Sequence, residues 1–270
     1  MTILKAYKGK TLVIKYGGAA MLSEELKTGV MADVAVLAMA GADVVVVHGG
    51  GPELSALQKR LGIKTRFIEG LRYTDEETID AALMALCGKI NKDLVRLLEN
   101  AGSKAVGISG LDGGLLICAK QREPDVGLVG EVREVNTKLL RMLLGAGYIP
   151  VVSTVGLGED GLAYNINADM AAGRIAASLA ADSFVTMSDV PGVLRDANDP
   201  ESLIHEVRVS DIEVLIADGL ISGGMIPKAR GLAGAIQDGA RSASIIDGRV
   251  PHALREWADG VRTGTRFINE

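Results

Sequence analysis

Two lysines, an aspartate and an arginine stand beside glycine strings in this chain. Lys15 comes two residues before Gly17-Gly18, and Gly49-Gly50-Gly51 runs into Pro52. Gly223-Gly224 precede Lys228, Arg72 follows Gly70, and Asp169 closes Tyr164-Asn-Ile-Asn-Ala-Asp169. In that last segment an extended backbone would put Asn165 and Asn167 on one face. Glycine loops expose backbone N–H groups that can hold anionic oxygens, and neighbouring lysines add charge. Transfer of a phosphoryl group needs this kind of neutralisation and alignment more than it needs a strong base. Each piece also has a plainer account. Lys15 would be a surface lysine beside a turn, Gly223-Gly224 an ordinary helix start, Asp169 an N-cap and Arg72 a solvated charge. Three successive glycines, at roughly 0.5–1 kcal/mol each in regular structure, are harder to explain as turn-making alone.

Other chemistries lack their signatures. No GxxxxGK[ST] occurs, since Gly88-Lys89 is followed by Ile90, so a Walker-type phosphate loop is excluded. No GxGxxG follows a strand, which removes the dinucleotide fingerprint. Neither HExxH nor GxSxG is present, and His48, His205 and His252 are scattered. Cys87 and Cys118 form no CxxC pair. A zinc site and a disulfide framework are therefore not expected, no metal ligand is assigned, and a reducing cytoplasm is the expected compartment.

The elements that must position these residues alternate strand with helix. Thr11–Lys15 and Asp43–Val47 read as short buried strands, the second a continuous apolar run of the kind covered on both faces. Between them Ser23–Ala40 reads as a helix, with Leu26, Val30, Val34 and Leu37 at helical spacing and Ser23 as N-cap. Thr74–Asn100 reads as helix in two pieces broken near Gly88. Ala105–Ser109 is a strand, and Leu115–Cys118 with Leu128–Val135 an antiparallel hairpin. Ile149–Thr154 is a strand, with a tight turn at Asp160-Gly161. Further on come helix at Ala168–Ala181, strand at Phe184–Met187, helices at Ile212–Asp218 and Ile226–Gln237, strand at Ala243–Ile246, helix at His252–Trp257 and a last strand at Arg266–Ile268. The pattern predicts βαβ units and a mainly parallel open sheet between helical layers. Ligands of such sheets bind beyond the carboxyl ends of the strands, where the glycine strings fall.

Composition narrows the partners. With 29 Lys and Arg against 34 Asp and Glu, and only 3% aromatics, the chain lacks the basic surface and stacking platforms of a nucleic-acid binder. A 48% hydrophobic share with 23% charged residues is that of a globular protein. The longest apolar runs, such as Val44–Val47 and Ile149–Val152, fall far short of the roughly 20 residues a membrane span needs. Residues 1–10 carry Lys5, Lys8 and Lys10 without an apolar core, so no signal peptide is expected.

Seven motifs occur in order: Lys15-Tyr-Gly-Gly18, His48-Gly-Gly-Gly-Pro52, Gly70-Leu-Arg-Tyr-Thr-Asp75, Gly88-Lys-Ile-Asn-Lys92, Tyr164-Asn-Ile-Asn-Ala-Asp169, Ser188-Asp-Val-Pro-Gly-Val193 and Gly223-Gly-Met-Ile-Pro-Lys228. From about Lys10 onward the chain resembles the amino acid kinase family, and in particular its branch acting on N-acetyl-L-glutamate. The resemblance implies an αβα sandwich with an amino-acid-binding lobe at 1–168 and an ATP-binding lobe at 169–270. It implies ATP-dependent phosphorylation of a γ-carboxylate in arginine biosynthesis, with Mg²⁺ carried largely on the nucleotide phosphates. By match, Lys15 and Lys228 would stabilise the moving phosphoryl group and Asp169 would orient both lysines. Gly18, Gly50 and Gly51 would contact phosphate and substrate. Arg72 would pair with the substrate α-carboxylate, helped by Asn165 and Asn167. Asp189, Val190, Gly192, Val193 and Leu194, with Leu220, Ile221 and Ser222, would line the nucleotide pocket. Two departures stand out, Ala19 where the family usually has Asn and Leu111 where it usually has Lys. The short segment before Lys15 and the spacing from His252 to Thr265 point to an arginine-insensitive homodimer, with a hexamer the other assembly open to it. A carrier-protein-linked aminoadipate kinase and a non-catalytic amino acid sensor are the alternative readings.

Overall fold

The structure, a computed structural model, describes residues 6–21, 23–196 and 199–269. Residues 1–5, part of the segment read for a signal peptide, lie outside them. Strand β1 (Thr11–Tyr16) feeds helix α1 (Glu24–Met39), which returns to β2 (Asp43–His48). Helix α2 (Gly51–Leu61) leads to a ribbon of β3 (Phe67–Ile68) and β4 (Leu71–Arg72). A long helical rod follows: α3 (Glu76–Ala82), a π-helical stretch at Leu83–Ile90, and α4 (Asn91–Asn100). Then come β5 (Ala105–Gly110), β6 (Leu116–Lys120), β7 (Gly130–Val135), α5 (Thr137–Gly145), β8 (Ile149–Gly158) and β9 (Ala163–Asn165). The remainder is α6 (Ala168–Leu179), β10 (Ser183–Ser188), the ribbon β11 (Val193–Leu194) with β12 (Leu203–Ile204), β13 (Glu206–Arg208), α7 (Ile212–Ala217), α8 (Met225–Gln237), β14 (Ser242–Asp247), α9 (Ala253–Ala258) and β15 (Thr265–Ile268).

The apolar runs divide their side chains between two cores, as a period-two backbone must. Leu12, Ile14, Val44, Val46, Val151, Val185 and Met187 enter one core, with residues of α1, α4 and α9. Val13, Val45, Val47, Val152, Phe184 and Ile245 enter the other, with residues of α5, α6 and α8. Helices thus cover both faces, and the three-layer αβα architecture holds. The main sheet runs β13-β15-β14-β10-β1-β2-β8-β6-β7, with β5 and β9 also paired to β8. The segment from β14 through β10, β1 and β2 to β8 is parallel. Strand β15 is antiparallel to β14.

One sheet therefore joins the two halves of the chain. Lys15 of β1 stands in register with Val47 of β2 on one side and Thr186 of β10 on the other. From β1 the chain winds one way to β2 and, later, the other way from β10 to β14. That reversal is the switch point at which open sheets bind ligands.

The local expectations fare differently. Ser23 does cap α1, accepting from the Leu26 amide at 3.3 Å. The expected break near Gly88 is absent. Gly88 lies inside the π-helical stretch, and the rod widens there instead of ending. A helix tolerates an interior glycine at about 1 kcal/mol, and a π-bulge absorbs an extra residue without losing the axis.

Candidate functional site

Lys15 leaves the carboxyl end of β1 almost buried, and its Nζ lies 3.1 Å from Asp169 Oδ1. Asp169 belongs to the first turn of α6, where the helix dipole favours a carboxylate. It is not the helix cap. Asn167 takes that role, its Oδ1 accepting from the amides of Asp169 at 2.9 Å and Met170 at 3.2 Å. The Asp169 carboxylate is thereby left to face Lys15, which answers the plainer account of that residue. The pair is ionic without hydrogen-bond alignment, since Asp169 Oδ1 has no hydrogen-bond partner.

Strand β2 ends at His48, which is fully buried. One ring nitrogen, Nδ1, lies 2.9 Å from the carbonyl of Gly49, so it carries the proton and donates. The other, Nε2, then accepts from Asn91 Nδ2 at 3.1 Å. Asn91 Nδ2 also faces the carbonyl of Val151 at 2.8 Å. Burial pushes the His48 imidazole down to about 4, so it is neutral at ordinary pH. This network fixes the base of the glycine loop. Gly50 has a packing reason of its own, because a Cβ there would collide with Ile90 and Leu86 of the π-helical stretch. Gly51 opens α2, so its N–H has no acceptor within the helix.

Arg72, on β4, is buried and held from three sides. It donates from Nη1 to Gln58 Oε1, and from Nη2 to the Gly51 carbonyl at 3.0 Å and Ser55 Oγ at 2.9 Å. Gln58 in turn donates to Thr78 Oγ1 at 3.1 Å and accepts from Thr65 Oγ1 at 3.0 Å. Burial lowers the arginine's pKa from its ordinary value, yet guanidinium stays charged. Asn165, at the end of β9, donates to Thr74 Oγ1 at 3.3 Å.

These groups converge. Lys15, Gly18, Gly50, Gly51, Arg72, Asn165, Asn167 and Asp169 line one cavity of about 530 Å³. That volume suits a small polar molecule. Its walls carry the Lys15 and Arg72 cations, glycine amides and the carboxamide of Asn165. A roomier cavity of about 790 Å³ lies at the amino ends of the same strands, around Lys10, Asp182, Arg241 and Trp257, without a glycine string of this kind.

Lys228 is elsewhere. It sits in the first turn of α8, and its Nζ donates to Ser188 Oγ at 2.7 Å and to Asp189 Oδ1 at 3.1 Å. Asp169 therefore pairs with Lys15, while Lys228 has its own carboxylate. The Lys228 ammonium holds the Asp189 carboxyl below the usual carboxylate range. The other expected nucleotide contacts are uneven. Val193 and Ile221 are buried in the core, and their amides are already engaged, donating to Thr265 Oγ1 at 2.8 Å and to the Leu215 carbonyl at 3.0 Å. Gly192 adopts φ +146, and a Cβ there would press on Leu203 and Thr265. Val190, Leu194 and Leu220 are half-buried, and Ser222 is exposed. Leu111 packs against the first core, and the side chain of Ala19 lies outside the described residues.

Sequence reasoning placed His48 and Ser188 in motifs without giving either a role, and passed over Ser55 and Gln58. His48 carried a readable signal, a polar residue closing an otherwise apolar strand just before three glycines. Gln58 and Ser55 carried none, because their role depends on α2 packing against β4.

The family model of the amino acid kinase family matches residues 10–247. An acetylglutamate kinase of Heliobacterium modesticaldum is 48% identical over 262 residues, covering 93% of this chain and 89% of that one. An acetylglutamate kinase of Actinobacillus pleuropneumoniae is 50% identical over 268 residues, covering 99% of this chain and 93% of that one. Among solved structures, N-acetylglutamate synthase from Neisseria gonorrhoeae, in complex with coenzyme A and N-acetyl-glutamate, superposes with a TM-score of 0.85 at 22% identity. That match covers 99% of this chain and 61% of the synthase, and it speaks for the fold alone.

Proposed function

The chain belongs to the amino acid kinase family and is a kinase, and we propose that it transfers the γ-phosphoryl group of ATP to the γ-carboxylate of N-acetyl-L-glutamate in arginine biosynthesis. One observation carries the reading: Lys15 with Asp169, the glycine loop, Arg72 and Asn165 line a single cavity at the switch point of the sheet. Relatives of the same name and nearly equal length support it.

The chemistry follows from the groups present. A carboxylate is already deprotonated at neutral pH, so the acceptor oxygen needs no base, and neutral His48 is not asked to be one. That oxygen attacks the γ-phosphorus, the bond to the bridging oxygen of ADP breaks, and an acyl phosphate forms. Arg72 fixes the α-carboxylate of the amino acid, and Asn165 and Asn167 stand beside it. Lys15 and Lys228 neutralise charge as it builds on the phosphoryl oxygens, and the amides of Gly18, Gly50 and Gly51 hold those oxygens in line. Asp169 keeps Lys15 aimed. Residues 189–194 and 220–222 take the nucleotide, with the first lobe at 1–168 and the second at 169–270.

Among the described residues no three carboxylate, histidine or cysteine side chains converge on a metal position. A Mg²⁺ arriving on the nucleotide would be held largely by phosphates and water, and Asp189 is the one carboxylate among residues 189–194 and 220–222 that could add to them. When bound it would neutralise charge on the phosphates.

The test is coupled ADP release with ATP and Mg²⁺ on N-acetyl-L-glutamate, L-glutamate, L-aspartate and N-acetyl-aminoadipate. Selective turnover of N-acetyl-L-glutamate is expected. Preference for the aminoadipate would move the assignment to the carrier-linked kinase. Silence on all four with ATP still binding would leave an amino acid sensor.

A further inference from the structure

We propose that Ser188 is a positioning residue of the transfer reaction, its hydroxyl bridging Lys228 and Asp189 so that the Lys228 ammonium is held over the carboxyl end of β10. The inference rests on the reading of Lys228 above and adds a residue to it.

Three observations lead there. First, Lys228 stands where a lysine does nothing for its helix. It occupies the first turn of α8, whose N-terminus carries partial positive charge, and the helix has no side-chain cap. A cation there is disfavoured by up to about 1 kcal/mol. Its position has to be held from outside the helix. Second, the outside partner is a hydroxyl and a carboxylate acting together. Ser188 Oγ accepts from Lys228 Nζ at 2.7 Å and donates to Asp189 Oδ1 at 3.2 Å, while Nζ also reaches Asp189 Oδ1 at 3.1 Å. The three groups close a triangle in which the serine uses both its donor and an acceptor lone pair. Third, Ser188 is the immobile corner. It is buried, and it is the last residue of β10, a strand paired on both sides with β1 and β14. Asp189 lies one residue past the strand and is exposed. Two positions along the strand from Ser188 is Thr186, the register partner of Lys15. The backbone that presents Lys15 and the backbone that presents Ser188 are thus hydrogen-bonded neighbours, and the serine sets where Lys228 stands relative to Lys15.

A merely structural role predicts something different. An exposed ion pair between Lys228 and Asp189 contributes about 0–1 kcal/mol, and a serine supporting it would affect stability slightly and turnover not at all.

The test compares Ser188→Ala with Ser188→Thr, both checked for an unchanged melting transition. Alanine should lower kcat roughly 10–100-fold, the scale of one hydrogen bond to a charged group, with the KM for the amino acid little changed. Threonine keeps the hydroxyl and should restore kcat to within a few-fold. A second readout needs no substrate: trace reductive methylation, followed by peptide mass spectrometry, reports how fast each lysine reacts. In Ser188→Ala, Lys228 should methylate faster while Lys15 keeps its wild-type rate. Wild-type kcat in Ser188→Ala, equal damage from Thr and Ala, or unchanged Lys228 labelling would each overturn the proposal. Wild-type protein that turns over none of the four substrates would count against the reaction instead, and the labelling experiment would still decide whether Ser188 holds Lys228.

Discussion

Lys15 emerges from the middle of the sheet with 11% of its side chain exposed and meets Asp169 at 3.1 Å. Lys228 rides on the first turn of a helix, 28% exposed, and meets Asp189, itself 61% exposed, at the same 3.1 Å. Equal distances do not make equal interactions. Coulomb energy at that range rises several-fold as the effective dielectric falls from that of water towards about 20. The first pair is held by a strand and a capped helix. The second is close to solvent, is worth about 0–1 kcal/mol, and can exchange Asp189 for a phosphate oxygen at little cost. One lysine is built into the frame, and the other is kept available. The same contrast separates the surroundings of Lys15, with buried Arg72, Gln58 and His48, from those of Lys228, where Ser222 and Asp189 are exposed.

The largest expected effect tests whether both lysines belong to the reaction at all. Lys15→Ala and Lys228→Ala should each lower kcat by roughly 10²–10⁴-fold, with smaller changes in KM. Steady-state kinetics with either variant at wild-type kcat would remove that lysine from the mechanism.

Next comes the contrast between the carboxylates. Asp169→Asn should lower kcat by about 10²-fold because Lys15 loses the charge that aims it in a partly desolvated site. Asp189→Asn should lower kcat by about tenfold at most, and its main effect should be on the KM for ATP. Equal losses in kcat would erase the distinction between the fixed and the available lysine.

His48 sharpens the comparison through pH. Its folded pKa of about 4 lies below the ordinary 6.5, so between these values the unfolded chain binds a proton that the folded chain does not. Its contribution to stability is fully present above pH 6.5 and is lost as pH falls through the window towards 4, by roughly 3 kcal/mol in all. Urea midpoints from pH 7.5 to 4.5 should fall accordingly, and the ¹⁵N shifts of His48 should stay those of a neutral ring with Nδ1 protonated. Ordinary titration near 6.5 would show that the glycine loop is not anchored by a buried imidazole.

The smallest effect concerns Asn167. Asn167→Ala should reduce stability by about 1 kcal/mol through loss of the α6 cap, with the KM for the amino acid changed by no more than a few-fold. A tenfold rise in KM without loss of stability would make Asn167 a substrate ligand first.

How much of this was legible follows the range of the forces involved. The strands β1, β2, β8 and β10 announced themselves as apolar runs, and α1 announced its start through Ser23, because burial on two faces and capping are local in sequence. Helix α5 went unread between the hairpin and β8, although Asn136 as its cap and leucines at 139, 140, 143 and 144 carry the same kind of local signal. The ribbon of β3 and β4 was not legible, since two residues per strand carry no periodicity. Gly88 misled because glycine marks helix ends more often than π-helical turns. Motif order supplied the candidate residues, and one cavity gathers Lys15, Gly18, Gly50, Gly51, Arg72, Asn165, Asn167 and Asp169. Which carboxylate each lysine would choose depends on how α6 and α8 pack on the sheet, and no spacing in the sequence records that.

Strand β10, between β1 and β14, has a consequence for how the protein comes into being. Lys10 and Asp182, which join the starts of β1 and β10, are 172 positions apart in the chain. At roughly 5–20 residues per second on a ribosome, the segment carrying Lys15 waits on the order of 10–30 s for its neighbour. Until then one edge of β1 is unpaired, open to any passing strand. Contacts of such long sequence separation also form slowly in the finished chain. The β1 edge that meets β10 is therefore completed late, and a nascent or truncated product that ends before β10 lacks the strand whose Thr186 stands in register with Lys15.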